Sequence, residues 1–352
     1  MLPDAATPPM MNNRPMSDSD NKSERTPDSA AEARKSAWSD YWASGALHSC
    51  TGSFEHNYAG PIADFWRSQV QQVVAPARLL EVCCGNAPLS KWIADNTDLL
   101  QRGLEIEATD LAEVAPAWPR QLPPSLQGQV RIRAGIDACQ LPFPDAHFSL
   151  VLSQYGIEYV GRPGLVELLR VTRPGGRVAA VLHHQESLPL RFGRAELETL
   201  AWVRGPEGPL QRAADLIEPM ARSATADGLA SLRADSAAAL SRTRFNDALR
   251  DLQSRQRDAL AAPLLDEVAQ RLLALLDVAR QQGRPAAEDA WRQEQQRLAQ
   301  VELRQRELVE CAFSEAELLE WLDLPGARLQ SLQTLDLGDQ GLAGWAAVLI
   351  KN

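Results

Sequence analysis

From Arg78 onward the chain alternates short apolar runs with amphipathic stretches. The runs Arg78–Val82, Leu104–Thr109, Val130–Ala134, His147–Ser153 and Arg177–Leu182 predict strands, while Leu89–Asp95 and Leu165–Val171 carry apolar residues at helical spacing. Strands that alternate with helices predict a mostly parallel sheet covered on both faces. Gly60–Val74 predicts a helix leading into the first strand. After Glu186 the alternation stops, and to about Glu310 the pattern is helical throughout. Leu264, Val268, Leu272, Leu275 and Val278 fall on one stripe, with charges of both signs elsewhere on the helix. Ser314–Leu322 predicts a further helix, and its opening Ser-Glu-Ala-Glu has the form of a capping box. Arg328–Leu337 and Trp345–Ile350, joined by Gly-Asp-Gln-Gly-Leu-Ala-Gly, predict a closing antiparallel hairpin.

Upstream of this pattern the chain has two different characters. Residues 1–36 are rich in Pro, Ser, Asp and Asn, and predict a disordered tail because little apolar surface is available to offset ordering entropy. Residues 37–75 are abruptly aromatic, with Trp38, Tyr41, Trp42, Phe54, Tyr58, Phe65 and Trp66. They predict a cap. The α/β core follows over 76–185, a helical insertion over 186–312, and the last helix and hairpin of the core over 313–352. The expected fold is α/β and Rossmann-like, with a mostly parallel seven-stranded sheet, a C-terminal antiparallel hairpin and a large helical insertion.

Composition narrows the partners. A net charge of −10 over 352 residues argues against a nucleic-acid footprint and against a polybasic membrane surface. No run approaches the ~20 apolar residues that span a bilayer. The opening residues lack a positive patch followed by an apolar stretch, and the five cysteines show no metal spacing. The expectation is a cytoplasmic protein without a metal site, whose helical insertion could serve as a lid or as the face of a homodimer.

The candidate chemistry sits at strand ends. Leu79–Ala87 reads LLEVCCGNA, a strand that ends in Glu81 and runs through a turn containing Gly85 into a helix. Such a turn can aim backbone N–H groups at a ligand. Asp110 stands at the tip of the second strand, and Asp137-Ala138 precedes LPFPDAHFSLVLS. Arg-Pro-Gly-Gly then introduces the fifth strand. Glu81 and Asp137 could also serve as ordinary caps or turn residues. Cys83 and Cys84 read as small packing residues, because adjacent cysteines form strained disulfides. Cys83 is expected at negative φ.

In order and spacing these features resemble the class I S-adenosylmethionine-dependent methyltransferases, over roughly Leu79–Leu182 and Ser314–Asn352. The resemblance implies S-adenosyl-L-methionine as cofactor, with Glu81 on the methionine amino group. Cys83, Gly85 and Asn86 would pass beside the carboxylate and ribose, and Asp110 would take the ribose hydroxyls. Leu111 would pack on the adenine, Asp137 and Ala138 would bond it, and Ser153, Gln154 and Tyr155 would line the pocket. The family loop is usually G-x-G-x-G, and here it is Cys83-x-Gly85-x-Ala87. The stretch between Glu81 and Asp110 is long for the family, so Asn96–Gly103 is expected to form a surface excursion.

The implied activity is in-line methyl transfer to a small-molecule acceptor in a dry pocket. Tyr155, Glu158, His183, His184 and His48 could serve an acceptor that must lose a proton. Tyr155 is expected as a pocket wall, and His183 or His184 as the base, with one of the two at the pocket mouth. Tyr41, Trp42, His48 and Tyr58 are expected either to fold over the donor site or to form an aromatic cap on the hydrophobic core. Two rival readings remain open. A nicotinamide oxidoreductase would need G-x-G-x-x-G, of which only Gly85 is present. A catalytically inactive methyltransferase-like scaffold acting through the helical insertion is the other.

Overall fold

The computed structural model describes residues 27–49, 57–257 and 260–352. The tail up to residue 26 lies outside the described residues, as do Cys50 and Phe54. Helix α1 covers Pro27–Ala43, so residues 27–36, expected in the tail, open a helix instead. The good helix formers of Ala30–Lys35 continue directly into the aromatic turns behind them.

After α1 come α2 (Gly60–Gln71), β1 (Ala77–Val82), α3 (Pro88–Asn96), β2 (Leu104–Thr109), β3 (Val130–Arg133), β4 (Phe148–Gln154), α4 (Ile157–Val160), α5 (Arg162–Val171) and β5 (Thr172–Leu182). The helical stretch contains α6 (Leu188–Arg204), α7 (Pro209–Ala214), α8 (Ile217–Arg222), α9 (Ala226–Leu232), α10 (Ser236–Gln256), α11 (Ala262–Gln282) and α12 (Arg284–Glu310). Then α13 (Glu315–Leu322), β6 (Ala327–Asp336) and β7 (Leu342–Lys351) end the chain. Ser314 and Glu317 form the expected capping box on α13.

Among the described residues the strands make one seven-stranded sheet, ordered β3-β2-β1-β4-β5-β7-β6. β1 through β5 pair in parallel, and β7 is antiparallel to both β5 and β6. The order reverses between β1 and β4, and at such a switch point strand ends diverge and leave a crevice. Successive residues of β1 serve opposite faces. Leu79 joins Trp66, Trp92 and Ile93 on one side, whereas Leu80 joins Leu165, Leu168 and Leu318 on the other.

Asn96–Gly103 lies at the surface as expected, with Asn96, Asp98, Gln101, Arg102 and Gly103 exposed, but it does not leave the core. Leu99 and Leu100 are buried beside Leu104, so the segment is a turn pinned to the core by its own apolar pair. The helices α6–α12 enclose a separate apolar cluster that includes Leu200, Phe245, Leu252, Val268, Leu272 and Leu298. No helix among the described residues is long and apolar enough to cross a membrane.

Candidate functional site

A cavity of about 270 Å³ opens at the C-terminal ends of β1, β2 and β4. Its floor is acidic. Glu81 ends β1 in register with Ala108 of β2 and Leu152 of β4, at the middle of the sheet. Its Oε2 accepts both the backbone N–H and the hydroxyl of Ser90, so it caps the first turn of α3 from a neighbouring strand. Burial pushes its carboxyl up to about 7, against the opposing effect of the Ser90 bonds. Asp110 follows β2. Its Oδ2 accepts from the Gly85 N–H at 2.7 Å, its Oδ1 from the Ala112 N–H at 2.8 Å, and burial raises its pKa. Asp137 completes the floor, with Oδ1 accepting from the Cys139 N–H at 2.8 Å.

The loop between β1 and α3 alternates left-handed residues: Cys83, Gly85 and Ala87 have φ of 53°, 52° and 54°. The expectation of negative φ at Cys83 is therefore corrected. Ladder bonds end after Val82, and the chain must turn three times to bring Gly85 onto Asp110 and Ala87 to the start of α3. A non-glycine residue in this region costs on the order of 1 kcal/mol or more. Space is allotted to match. A Cβ on Gly156 would lie 2.4 Å from the Cys83 Cβ, and one on Gly85 would lie 2.4 Å from the Trp42 ring.

The roof is aromatic and comes from far away in sequence. Trp38 and Trp42 of α1 stack at 5.8 Å and face the cavity with Tyr58. Asn86 holds this roof down, donating from Nδ2 to the Trp42 and Ala46 carbonyls at 3.1 and 2.7 Å. From α12, Arg304 donates to the Ala37 carbonyl and lies over the Tyr41 ring, and Arg34 pairs with Glu307 at 2.7 Å.

An acidic floor under aromatic rings, at the switch point of a parallel sheet, suits a ligand that carries hydroxyls and positive charge. Comparison with known proteins agrees. Residues 80–180 match the family model described as a methyltransferase domain. A demethylmenaquinone methyltransferase of Clavibacter sepedonicus is 32% identical over 131 residues, which are 36% of this chain and 50% of that protein. A 2-phytyl-1,4-naphtoquinone methyltransferase of Synechococcus elongatus is 33% identical over 129 residues, 36% of this chain and 54% of that protein. The chain thus spans about half the length of the curated relatives it matches. The solved geranyl diphosphate C-methyltransferase of Streptomyces coelicolor is 16% identical, with a TM-score of 0.33 over 45% of this chain and 65% of that one. Residues 80–180 of the chain are thus similar to a methyltransferase domain.

In this stretch Glu81, Cys83, Asp110, Leu111, Asp137, Ala138, Gln154 and Tyr155 line one cavity. Gly85, Asn86, Ser153, His183 and His184 do not. Gly85 is covered by Trp42, and Asn86 is occupied in holding the roof. Ser153 is buried behind the wall, where its hydroxyl accepts from the Ile157 N–H at 3.0 Å. His184 tilts against Trp345, and its Nδ1 accepts from the Glu186 N–H at 2.9 Å. His183 is 1% exposed, one layer behind the wall and stacked on Tyr155 at 4.6 Å. Burial drives its pKa down to about 3, so its ring is neutral. The expectation of a histidine at the pocket mouth is corrected: the end of β5 lies under Tyr155 rather than beside the opening. Glu158 also turns inward. Its Oε1 accepts from the His183 N–H at 3.0 Å, and burial pushes its carboxyl up to about 7.

Of the expected covering residues, Trp42 and Tyr58 line the cavity, while Tyr41 and His48 do not. The Tyr41 hydroxyl instead donates to the His48 carbonyl. Cys83 and Cys84 are free thiols, and burial pushes both pKa values well above the ordinary range. Lining residues that the sequence did not mark are Arg34, Lys35, Trp38 and Tyr159. The helix-forming run before Trp38 was the available signal for the first three. Tyr159 had none.

Proposed function

We propose that this protein transfers a methyl group from S-adenosyl-L-methionine to a small, quinone-related aromatic acceptor. The observation that carries the reading is one cavity with three carboxylates beneath and two tryptophans above, at the switch point of the sheet. A second observation concerns fit. Gln154 donates nothing from its buried Nε2 to any described residue, although its Oε1 accepts from Trp66 at 2.6 Å. An unused buried donor in a cavity wall is costly, and a ligand oxygen or ring nitrogen there would satisfy it.

When bound, the donor supplies an electrophilic methyl on a positively charged sulfur. The residues of this chain bind and orient it. Asp110 would hold the ribose hydroxyls, Glu81 the amino group, and Asp137 with the Ala138 N–H the adenine. Leu111 would cover the adenine face. Trp38 and Trp42 keep water from the reacting centre and offer ring faces to the positive sulfur. The named substrates of the relatives, demethylmenaquinone and a phytylated naphthoquinone, favour a flat oxygenated ring as acceptor.

Calorimetric titration with S-adenosylhomocysteine tests the reading. Micromolar binding is expected for the native chain, with a loss of at least about a hundredfold in Asp110→Ala. An unchanged affinity in that variant would remove Asp110 from the site, and no binding to well-folded native protein would overturn the assignment.

A further inference from the structure

Gln154 ends β4, lines the donor cavity and stands on the same face of the sheet as Glu81. Along β4, Leu150 and Leu152 join the apolar cluster that holds Trp66, whereas Val151 joins the opposite one. Along β1, Leu79 and Leu80 divide in the same way. Residues two apart share a face, so Gln154 and Glu81 both belong to the Trp66 side. Glu81 is level with Leu152 of the adjacent strand, and Gln154 follows two residues further on.

The Gln154 amide has a fixed direction. Trp66 Nε1 donates to its Oε1 at 2.6 Å, and an indole nitrogen can only donate, so the oxygen faces Trp66 and Nε2 faces away. Trp66 is fully buried and takes no part in the cavity wall. The buried Nε2 keeps N–H groups that no described residue accepts. The other polar side chains of the wall are engaged, acidic or weak donors. Arg34 pairs with Glu307 at 2.7 Å and Lys35 with Glu113 at 3.3 Å. The Tyr155 hydroxyl donates to the Ala343 carbonyl, Tyr159 meets His183, and Ser49 and Tyr58 are engaged as well. Ionised Glu81, Asp110 and Asp137 only accept, and the Cys83, Cys84 and Cys139 thiols donate weakly.

An α-amino acid carries an ammonium and a carboxylate on one carbon, so it needs an acceptor and a donor side by side. Glu81 and Gln154 are such a pair. Resting on the methyltransferase reading above, we propose that Gln154 donates from Nε2 to the carboxylate of the donor's methionine moiety, beside Glu81 on its ammonium, and that Trp66 is the positioning residue that holds the amide in this direction. Trp66 does not touch the ligand. An arginine in place of Gln154 would pair with Glu81 and neutralise both groups, whereas an amide leaves Glu81 to the ammonium.

The test compares S-adenosylhomocysteine with decarboxylated S-adenosylhomocysteine, which keeps the ammonium and the adenosine, in calorimetric titrations of the full chain at pH 8. The native protein should bind the carboxylate form at least about tenfold more tightly. In Gln154→Met that gap should shrink to within about threefold, while affinity for the decarboxylated form stays within about twofold of native. Gln154→Glu keeps an acceptor for Trp66 Nε1 but loses the donor, and there the gap should vanish or invert. Trp66→Phe should shrink the gap with Gln154 still in place, because the amide is then free to turn. A tenfold gap that survives in both Gln154 variants removes Gln154 from the carboxylate, and one that survives in Trp66→Phe removes Trp66 as its positioning residue. Equal losses for the two ligands make Gln154 a structural brace and overturn the proposal. Native protein that binds both forms equally overturns it too and leaves the methyltransferase reading standing, whereas native protein that binds neither overturns both.

Discussion

The floor and the roof of the donor cavity are built by opposite means. The floor is made of sheet: Glu81 and Asp110 lie at the ends of adjacent central strands, buried and tied to backbone N–H groups of the segments they support. The roof is one helix, α1, held by polar contacts from Asn86, Glu113, Gln300, Arg304 and Glu307 and by the burial of Ala37 and Trp42. The difference teaches where the cavity is fixed and where it is covered. A carboxylate that caps the next helix cannot move without unmaking the fold, whereas α1 covers the cavity through side-chain contacts with distant elements. Stored charge strain therefore belongs below, and the cover above.

Three measurements would break or sharpen that contrast. The largest effect is expected from pH. Glu81 has its pKa raised to about 7 from 4.5 by burial, so the native state holds a proton that the unfolded chain releases. Its contribution to stability is present below about pH 4.5 and is lost as pH rises through 7. The loss amounts to about 3 kcal/mol at pH 8. Asp110 and Glu158 act in the same direction. Denaturant unfolding should show stability falling from pH 5 to pH 8, with a distinctly shallower fall in Glu81→Gln. Equal falls in both proteins would put the strain somewhere other than the floor.

The next effect is on the roof. Trp38→Ala should weaken S-adenosylhomocysteine about tenfold, or ~1.4 kcal/mol, while unfolding changes by less than about 1 kcal/mol. A large loss of stability with unchanged binding would make α1 a structural brace and not a cover. The smallest effect concerns the loop between them. Ala87→Gly removes left-handed strain at φ 54° but adds freedom to the unfolded chain. The two nearly offset, and thermal melts should show a gain of no more than about 1 kcal/mol, against a clear loss in Ala87→Val.

Most of the fold could be read from the chain because each element carries its own periodicity. β2 runs over the expected residues, and β1, β4 and α13 begin or end within a residue or two of the expected ones. The acidic floor was readable for a related reason: winding of a parallel sheet puts every strand's C-terminal end on one edge, so an acid that ends a strand is already near its partners. The departures share a different origin. Asn86 and Ser153 are the right types at the right positions, yet their polar atoms are claimed by Trp42, Ala46 and Ile157.

The sequence by itself determined the order of the elements, the separate helical region after β5 and the carboxylates at the strand tips, since these follow from local pattern and chain direction. Only the tertiary structure decided the rest. It set the left-handed turns at Cys83 and Ala87, laid α1 over the site, turned His183 and His184 away from it, and placed Tyr159 in its wall. Each of these depends on contacts between residues tens to hundreds of positions apart, such as Arg34 with Glu307 or Tyr155 with Ala343. Periodicity carries no information about such pairs, because the energy that fixes them exists only once distant elements have packed.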